Sequence, residues 1–183
     1  MNIINTEINT VPQNIFVLDD NPDDLKLIGN ILKREFPEAL LLMTETKDQL
    51  MKQLSWVKPD IIISDFRLRS CNGLDVLIEV REKGDVPFVF CTSALNSHNE
   101  LSESILKGAN GYVLKDEITE LPKIVSQVVS NHATQVRDRI DRDKLISNIK
   151  YKLQKLESTV QEKIGPSESK EIHQIIIDLD QLK

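Results

Sequence analysis

"IFVLDDNPDDLKLIGNILKREF" (residues 15–36) holds one complete unit of the pattern that organises the whole chain. Ile15 to Leu18 form a short apolar run without alternation, the signature of a strand buried on both faces. Asn21 suits a helix N-cap and Pro22 the first helical position. Leu25, Ile28, Ile31 and Leu32 then share one helical face, and the helix is expected to stop near Phe36 and Pro37.

The unit recurs along the sequence. "ALLLM" (39–43) is a second strand, and Thr46 to Gln49 have the capping-box spacing that opens a helix ending near Trp56. "DIIIS" (60–64) is a third strand, followed by a polar loop to Gly73 and a helix to about Arg81. Pro87 introduces the fourth strand, "FVFC" (88–91), and "SHNE" (97–100) has a second capping-box spacing. Gly108 closes the fourth helix, "GYVLK" (111–115) is the fifth strand, and a last helix starts near Thr119. Five such units predict a doubly wound α/β fold with a parallel sheet covered on both faces. Ligands of such sheets bind outside the carboxyl ends of the strands.

At those ends stand Asp19 and Asp20, Asp65, Thr92 and Lys115. Asp23 and Asp24 fall in the first turn of a helix, where the dipole favours a carboxylate by roughly 0.3–1 kcal/mol, and helix-start electrostatics accounts for them. Asp19, Asp20 and Asp65 are harder to explain so simply. Two carboxylates about 4 Å apart repel by roughly 4 kcal/mol at an effective dielectric of 20, so a group of three calls for a cation. Oxygen ligands suit Mg²⁺, and no cysteine–histidine cluster offers a zinc alternative.

The composition fits this reading. The chain has 183 residues, 40% hydrophobic and 28% charged, with a formal charge of −6 that gives no encouragement to a nucleic-acid partner. Cys71 and Cys91 are expected to be free thiols. "MNIINTEINTVPQ" (1–13) reads as a flexible polar tail without the features of a signal peptide, and the apolar runs are too short to span a bilayer, so a cytoplasmic location is expected.

From about Asn14 to Asn131 the sequence resembles the receiver domain of two-component response regulators. The residues that match are the "DD" of "FVLDDN", Asp65 in "PDIIISDFRLRSCNGLDVL", Thr92 in "VPFVFCTS", and "GYVLK" ending in Lys115, with Gly73 eight residues past Asp65. The resemblance implies a flavodoxin-like sheet of order 2-1-3-4-5. It also implies that Asp65 accepts a phosphoryl group from the phosphohistidine of a histidine kinase or phosphotransfer protein. Asp20, Asp65 and the backbone carbonyl of Arg67 would hold Mg²⁺, with Asp19 acting mainly through water. Lys115 and the Thr92 hydroxyl would bind phosphoryl oxygens. Thr92 and Tyr112 would form a switch that repacks a face including Leu101 and Ile105. Three departures from the family pattern concern rate and loop shape. Arg69 and Asp116 stand where proline is usual, and Arg67 and Ala94 occupy positions that tune phosphoryl lifetime.

Residues 132–183 extend beyond a minimal receiver. No glycine or proline interrupts the chain between Pro122 and Gly165, so the fifth helix is expected to continue to about residue 164, on the order of 60 Å at 1.5 Å per residue. "VRDRIDRD" (136–143) is a solvated stretch, and Ile146, Ile149, Leu153, Leu156 and Val160 then alternate by three and four as a coiled-coil seam. "GPSES" (165–169) is a turn, with Pro166, Ser167 and Glu168 apt for starting a short helix over about 168–182. That helix carries Ile172, Ile175, Ile176, Leu179 and Leu182. Short helices are marginal alone. A helical hairpin that pairs with its twin into a homodimer is therefore preferred over packing back on the receiver.

Three functions compete. A phosphorylation-controlled module signalling through dimerisation or an unidentified downstream protein is the main expectation. A DNA-binding transcriptional regulator with an atypical or truncated output is the alternative. Against it, residues 133–183 carry ten basic and nine acidic side chains and show no basic face. An aspartate-nucleophile phosphohydrolase usually has a second aspartate two residues after the nucleophile, where this chain has Arg67, so an enzyme is not expected. The three histidines, at 98, 132 and 173, do not cluster in sequence, and none is assigned a phosphotransfer role.

Overall fold

A computed structural model of the chain describes residues 10–93, 98–163 and 170–181. Its elements follow the alternation read from the sequence: β1 (Asn14–Leu18), α1 (Pro22–Glu35), β2 (Leu40–Thr44), α2 (Lys47–Leu54), β3 (Ile61–Ser64), α3 (Gly73–Lys83), β4 (Phe88–Thr92), α4 (His98–Leu106), β5 (Gly111–Leu114), α5 (Leu121–Lys163) and α6 (Lys170–Asp180). The five strands pair in parallel in the order β2-β1-β3-β4-β5, the flavodoxin-like arrangement. The chain divides into two compact units, up to Ala133 and from Thr134 onward.

Alternate strand residues feed two cores. Ile15, Val17, Ile61, Ile63, Val89, Cys91 and Val113 pack with the buried faces of α1 and α5. Phe16, Leu18, Ile62, Phe88 and Phe90 pack with α2 and α3 on the opposite side. Burial on both faces is why these strands show no polar alternation. Apolar burial on this scale, at about 25 cal/mol per Å², supplies the main force holding the sheet between its helices.

Local chemistry sets the helix starts. The Asn21 side chain accepts from the Asp23 N–H at 3.1 Å, and the Thr46 hydroxyl accepts from the Gln49 N–H at 3.3 Å. Gln49 returns a bond to the N–H of Glu45 rather than to that of the cap residue itself. Asn72 and Asp75 form a full reciprocal capping box at α3, which the sequence reading passed over although the spacing is present. The capping box expected at "SHNE" includes Ser97, which lies outside the described residues.

Two boundaries differ from expectation. Gln13, assigned to the polar tail, donates its N–H to Asp60 Oδ2 at 2.7 Å and accepts from the Leu40 N–H at 2.7 Å, so the ladder already holds the chain there. The fifth strand ends at Leu114, and Lys115–Glu120 form a 3₁₀ helix with a non-helical residue at Glu117 before α5 begins.

In the second unit, the later part of α5 and α6 run antiparallel. Lys150 pairs with Asp180, and seven residues along α5 Glu157 meets His173 Nδ1 at 3.0 Å, seven residues back along α6. Ile146, Leu153, Val160, Ile172 and Leu179 are half-buried and Ile176 is buried, whereas Ile149 and Leu156 are exposed. The expected turn at 165–169, with Pro166, Ser167 and Glu168, and Leu182 lie outside the described residues.

Candidate functional site

The carboxyl ends of β1, β3 and β5 bring together residues far apart in sequence. β1 lies between β2 and β3, and its ladder continues one step past Leu18. The Asp19 N–H donates to Thr44 O at 3.1 Å and the Asp65 N–H to Leu18 O at 2.8 Å. Both carboxylates are therefore carried on ordered backbone. Gly73 allows the loop after β3 to fold closely. A Cβ there would lie 2.6 Å from the Asp65 carbonyl oxygen and 2.8 Å from Phe90 Cε1.

Lys115 is the centre of the cluster. Its Nζ lies 2.6 Å from Asp19 Oδ2, 2.8 Å from Asp24 Oδ2 and 2.9 Å from Asp65 Oδ2, with only 10% of its side chain exposed. The bonds to Asp24 and Asp65 are aligned hydrogen bonds. Asp19 Oδ2 is charge-paired but has no aligned donor. Burial works against the ammonium charge, yet pairing with Asp19, Asp24 and Asp65 outweighs it and holds the Lys115 pKa well above that of an ordinary lysine. Burial raises the pKa of Asp19, against the opposing pull of Lys115 and of the Asn21 N–H, which donates to Asp19 Oδ1 at 2.9 Å.

The Lys115 ammonium thus lies between Asp19 and Asp65. The reading of Asp24 needs correcting. This residue is more than a helix-start charge, because it joins Lys115 and accepts from Asn21 Nδ2 at 2.9 Å.

Asp20 faces elsewhere. Its Oδ2 accepts from the Arg69 N–H at 2.5 Å and lies 3.6 Å from Arg69 Nε. Asp65 Oδ1 accepts from the Arg67 N–H at 3.2 Å, and Arg67 bridges to Asn72 across the loop. No group of three or more His, Cys, Asp and Glu among the described residues is gathered as a metal site. The donor set still fits Mg²⁺ chemically: it is all oxygen, and Asp19 Oδ2 is buried without an aligned donor.

Thr92 is buried at the end of β4 in register with Leu114, the residue before Lys115. Tyr112, opposite Phe90, is 41% exposed, and Ile105 on α4 is also exposed. The side chain of Leu101, and Ala94 entirely, lie outside the described residues. Cys91 is buried in the core, and Cys71 is a half-buried free thiol.

Comparison with known proteins settles the family. The sequence profile described as "Response regulator receiver domain" matches residues 15–126. The chain belongs to the response regulator receiver family. The receiver is 32% identical over 104 residues to the DNA-binding transcriptional activator EvgA of Escherichia coli strain K12, covering 57% of this chain and 50% of EvgA. It is 25% identical over 123 residues to the nitrate/nitrite response regulator protein NarL of the same strain, covering 67% and 57%. The chain thus spans about half the length of these curated relatives. Its fold matches a receiver domain protein from Clostridium thermocellum with a TM-score of 0.57 at 19% identity, over 67% of this chain and 98% of that one. It also matches a DNA-binding response regulator of the LuxR family from Staphylococcus aureus, with a TM-score of 0.57 at 22% identity, over 64% and 98%. The expectation against nucleic acid gains no support from these relatives. No helix among the described residues is long and apolar enough to cross a membrane.

Proposed function

We propose that this receiver is a phosphorylation switch in which Asp65 accepts a phosphoryl group from a histidine kinase or phosphotransfer protein. The observation that carries the reading is the Lys115 ammonium 2.9 Å from Asp65 Oδ2 at the carboxyl edge of the sheet. An Asp65 carboxylate oxygen attacks phosphorus as the phosphorus–nitrogen bond of phosphohistidine breaks, and the electron pair returns to the imidazole. Asp20, Asp65 and the Arg67 carbonyl would hold Mg²⁺, with Asp19 through water, and the ion supplies charge neutralisation at the phosphoryl oxygens. Lys115 adds a fixed positive charge and the Thr92 hydroxyl a hydrogen bond. The charge gained at Asp65 is then relayed through Thr92 and Tyr112 to the neighbouring surface.

The output proposed is protein–protein association through α5 and α6. Burial of Ile146, Leu153, Val160, Ile172, Ile176 and Leu179 within one hairpin leaves Leu145, Ile149, Leu156 and Ile175 exposed, a remaining stripe that suits a second copy. On this reading the protein is a cytoplasmic switch and not an enzyme acting on a small molecule. A second reading, transcriptional control through DNA, is favoured by the similarity to the DNA-binding transcriptional activator EvgA.

The test is intact mass and light scattering after treatment with acetyl phosphate and Mg²⁺, beside Asp65→Asn. One added phosphoryl group, absent from the variant, together with a phosphorylation-dependent change in particle mass, supports the switch. No added group in the wild type rejects it. A phosphorylated protein of unchanged mass that retains a DNA fragment moves the output to the second reading.

A further inference from the structure

The Lys115 side chain ends a flexible four-carbon stem, and its usefulness at Asp65 depends on where the ammonium is held. Before modification, Asp65 itself helps to hold it. Once an Asp65 oxygen is bonded to phosphorus, that carboxylate charge is gone and the hydrogen bond must pass to a phosphoryl oxygen. Another group has to keep the ammonium in place during the exchange. Asp19 holds it as a buried ion pair at 2.6 Å without an aligned hydrogen bond. Asp24 adds an aligned one at 2.8 Å.

Asp24 is itself fixed. Its Oδ2 also accepts from Asn21 Nδ2 at 2.9 Å, and the N–H of Asn21 donates to Asp19 Oδ1 at 2.9 Å. Asp19, Asn21, Asp24 and Lys115 thus close a ring anchored on β1 and the first turn of α1. The buried stripe of Leu25, Ile28 and Leu32 secures that helix against the sheet. Asp23, exposed in the same turn, offers an internal comparison: it has the same helix-start charge and no bond to Lys115.

We propose that Asp24 is a positioning residue for phosphoryl transfer, its carboxylate tethering the Lys115 ammonium beside Asp65 throughout the reaction. This rests on the reading of Asp65 as phosphoacceptor. With acetyl phosphate as donor, an Asp65 oxygen bonds to phosphorus, the phosphorus–oxygen bond to the acetyl group breaks, and acetate leaves with the electron pair. Asp24 touches neither reacting atom and acts through Lys115.

The experiment follows acyl-phosphate formation by intact mass with acetyl phosphate and Mg²⁺ in the wild type, Asp24→Ala, Asp24→Asn and Asp23→Asn. The Lys115 ¹⁵Nζ resonance is recorded for each protein without metal or donor. Asp24→Ala is expected to slow phosphorylation by up to roughly a hundredfold, the cost that a misplacement of about 1 Å can carry. Asp24→Asn, which keeps an oxygen acceptor, is expected to slow it less. The Lys115 signal should broaden in both and remain sharp in Asp23→Asn. Equal slowing in Asp23→Asn would reduce Asp24 to a helix-start charge, and an unchanged or faster rate in Asp24→Ala overturns the tether. A wild type that takes up no phosphoryl group sinks the function itself, a result distinct from either.

Discussion

The N–H of Arg69 donates to Asp20 Oδ2 at 2.5 Å, joining the loop after β3 to the end of β1. Receiver domains usually have proline at this position, and proline has no N–H to give. The departure therefore has a definite consequence: a carboxylate expected to bind Mg²⁺ is held by backbone. A hydrogen bond to a charged group is worth roughly 1.5–3 kcal/mol, so removing it should tighten Mg²⁺ binding by about tenfold to a hundredfold. Arg69→Pro is expected to show that gain by calorimetric titration. Arg69→Ala keeps the N–H and loses only an exposed guanidinium 3.6 Å away, so it should change affinity little. Equal affinity in Arg69→Pro and the wild type would mean that the bond does not compete with the ion.

Gly73 stands where the chain cannot carry a side chain without moving the phosphoacceptor loop. The atoms in the way are the Asp65 carbonyl oxygen, the Phe66 Cα and the Phe90 ring, and two of the three are backbone. Gly73→Ala should cost about 1–3 kcal/mol in urea unfolding, the usual range for overpacking. It should also slow phosphorylation, because the Asp65 backbone shifts. A variant as stable and as reactive as the wild type would show that the loop yields freely.

Burial pushes the Cys91 thiol up to about 12 from an ordinary value of 9.0. At pH 8 a thiol reagent should label Cys71 in the folded protein and spare Cys91, which mass spectrometry can count. The linkage has a clear sign. Between pH 9.0 and about 12 the folded state holds a proton that the unfolded chain releases, so stability falls as pH rises. The slope from this group is at most roughly 1.4 kcal/mol per pH unit. Cys91→Ala should lose that component of the alkaline slope, and an unchanged slope would assign it to other groups.

Strand runs such as "IFVL" and "FVFC" have one reading, because burial on both sheet faces leaves no polar position to confuse it. The fold and the strand-end location of Asp19, Asp65, Thr92 and Lys115 were legible for that reason. Side-chain direction was not. Asp20 and Asp24 each admit two orientations, and their partners, Arg69 and Lys115, come from distant segments that local sequence cannot bring together. The helical stripe of residues 146–160 shows the same limit. Its period identifies a seam without saying which residues an intramolecular partner will cover.

That partition of the seam leads to two opposed outcomes for one hairpin. Ile176 is 8% exposed among the residues joining α6 to α5, while Ile149 and Leu156 are 39% and 50% exposed. Ile176→Ala should cost about 2 kcal/mol or more of hairpin stability, because it leaves a gap at the one buried apolar residue among those described in the hairpin. The loss should appear as reduced helicity on warming, with the sheet transition unaffected. Ile149→Ser with Leu156→Ser changes residues on the more exposed face, so most helicity should be kept while any self-association is lost in light scattering. Should the double variant unfold the hairpin as readily as Ile176→Ala, the two faces would not be separate, and the exposed stripe would be part of the fold and no docking surface.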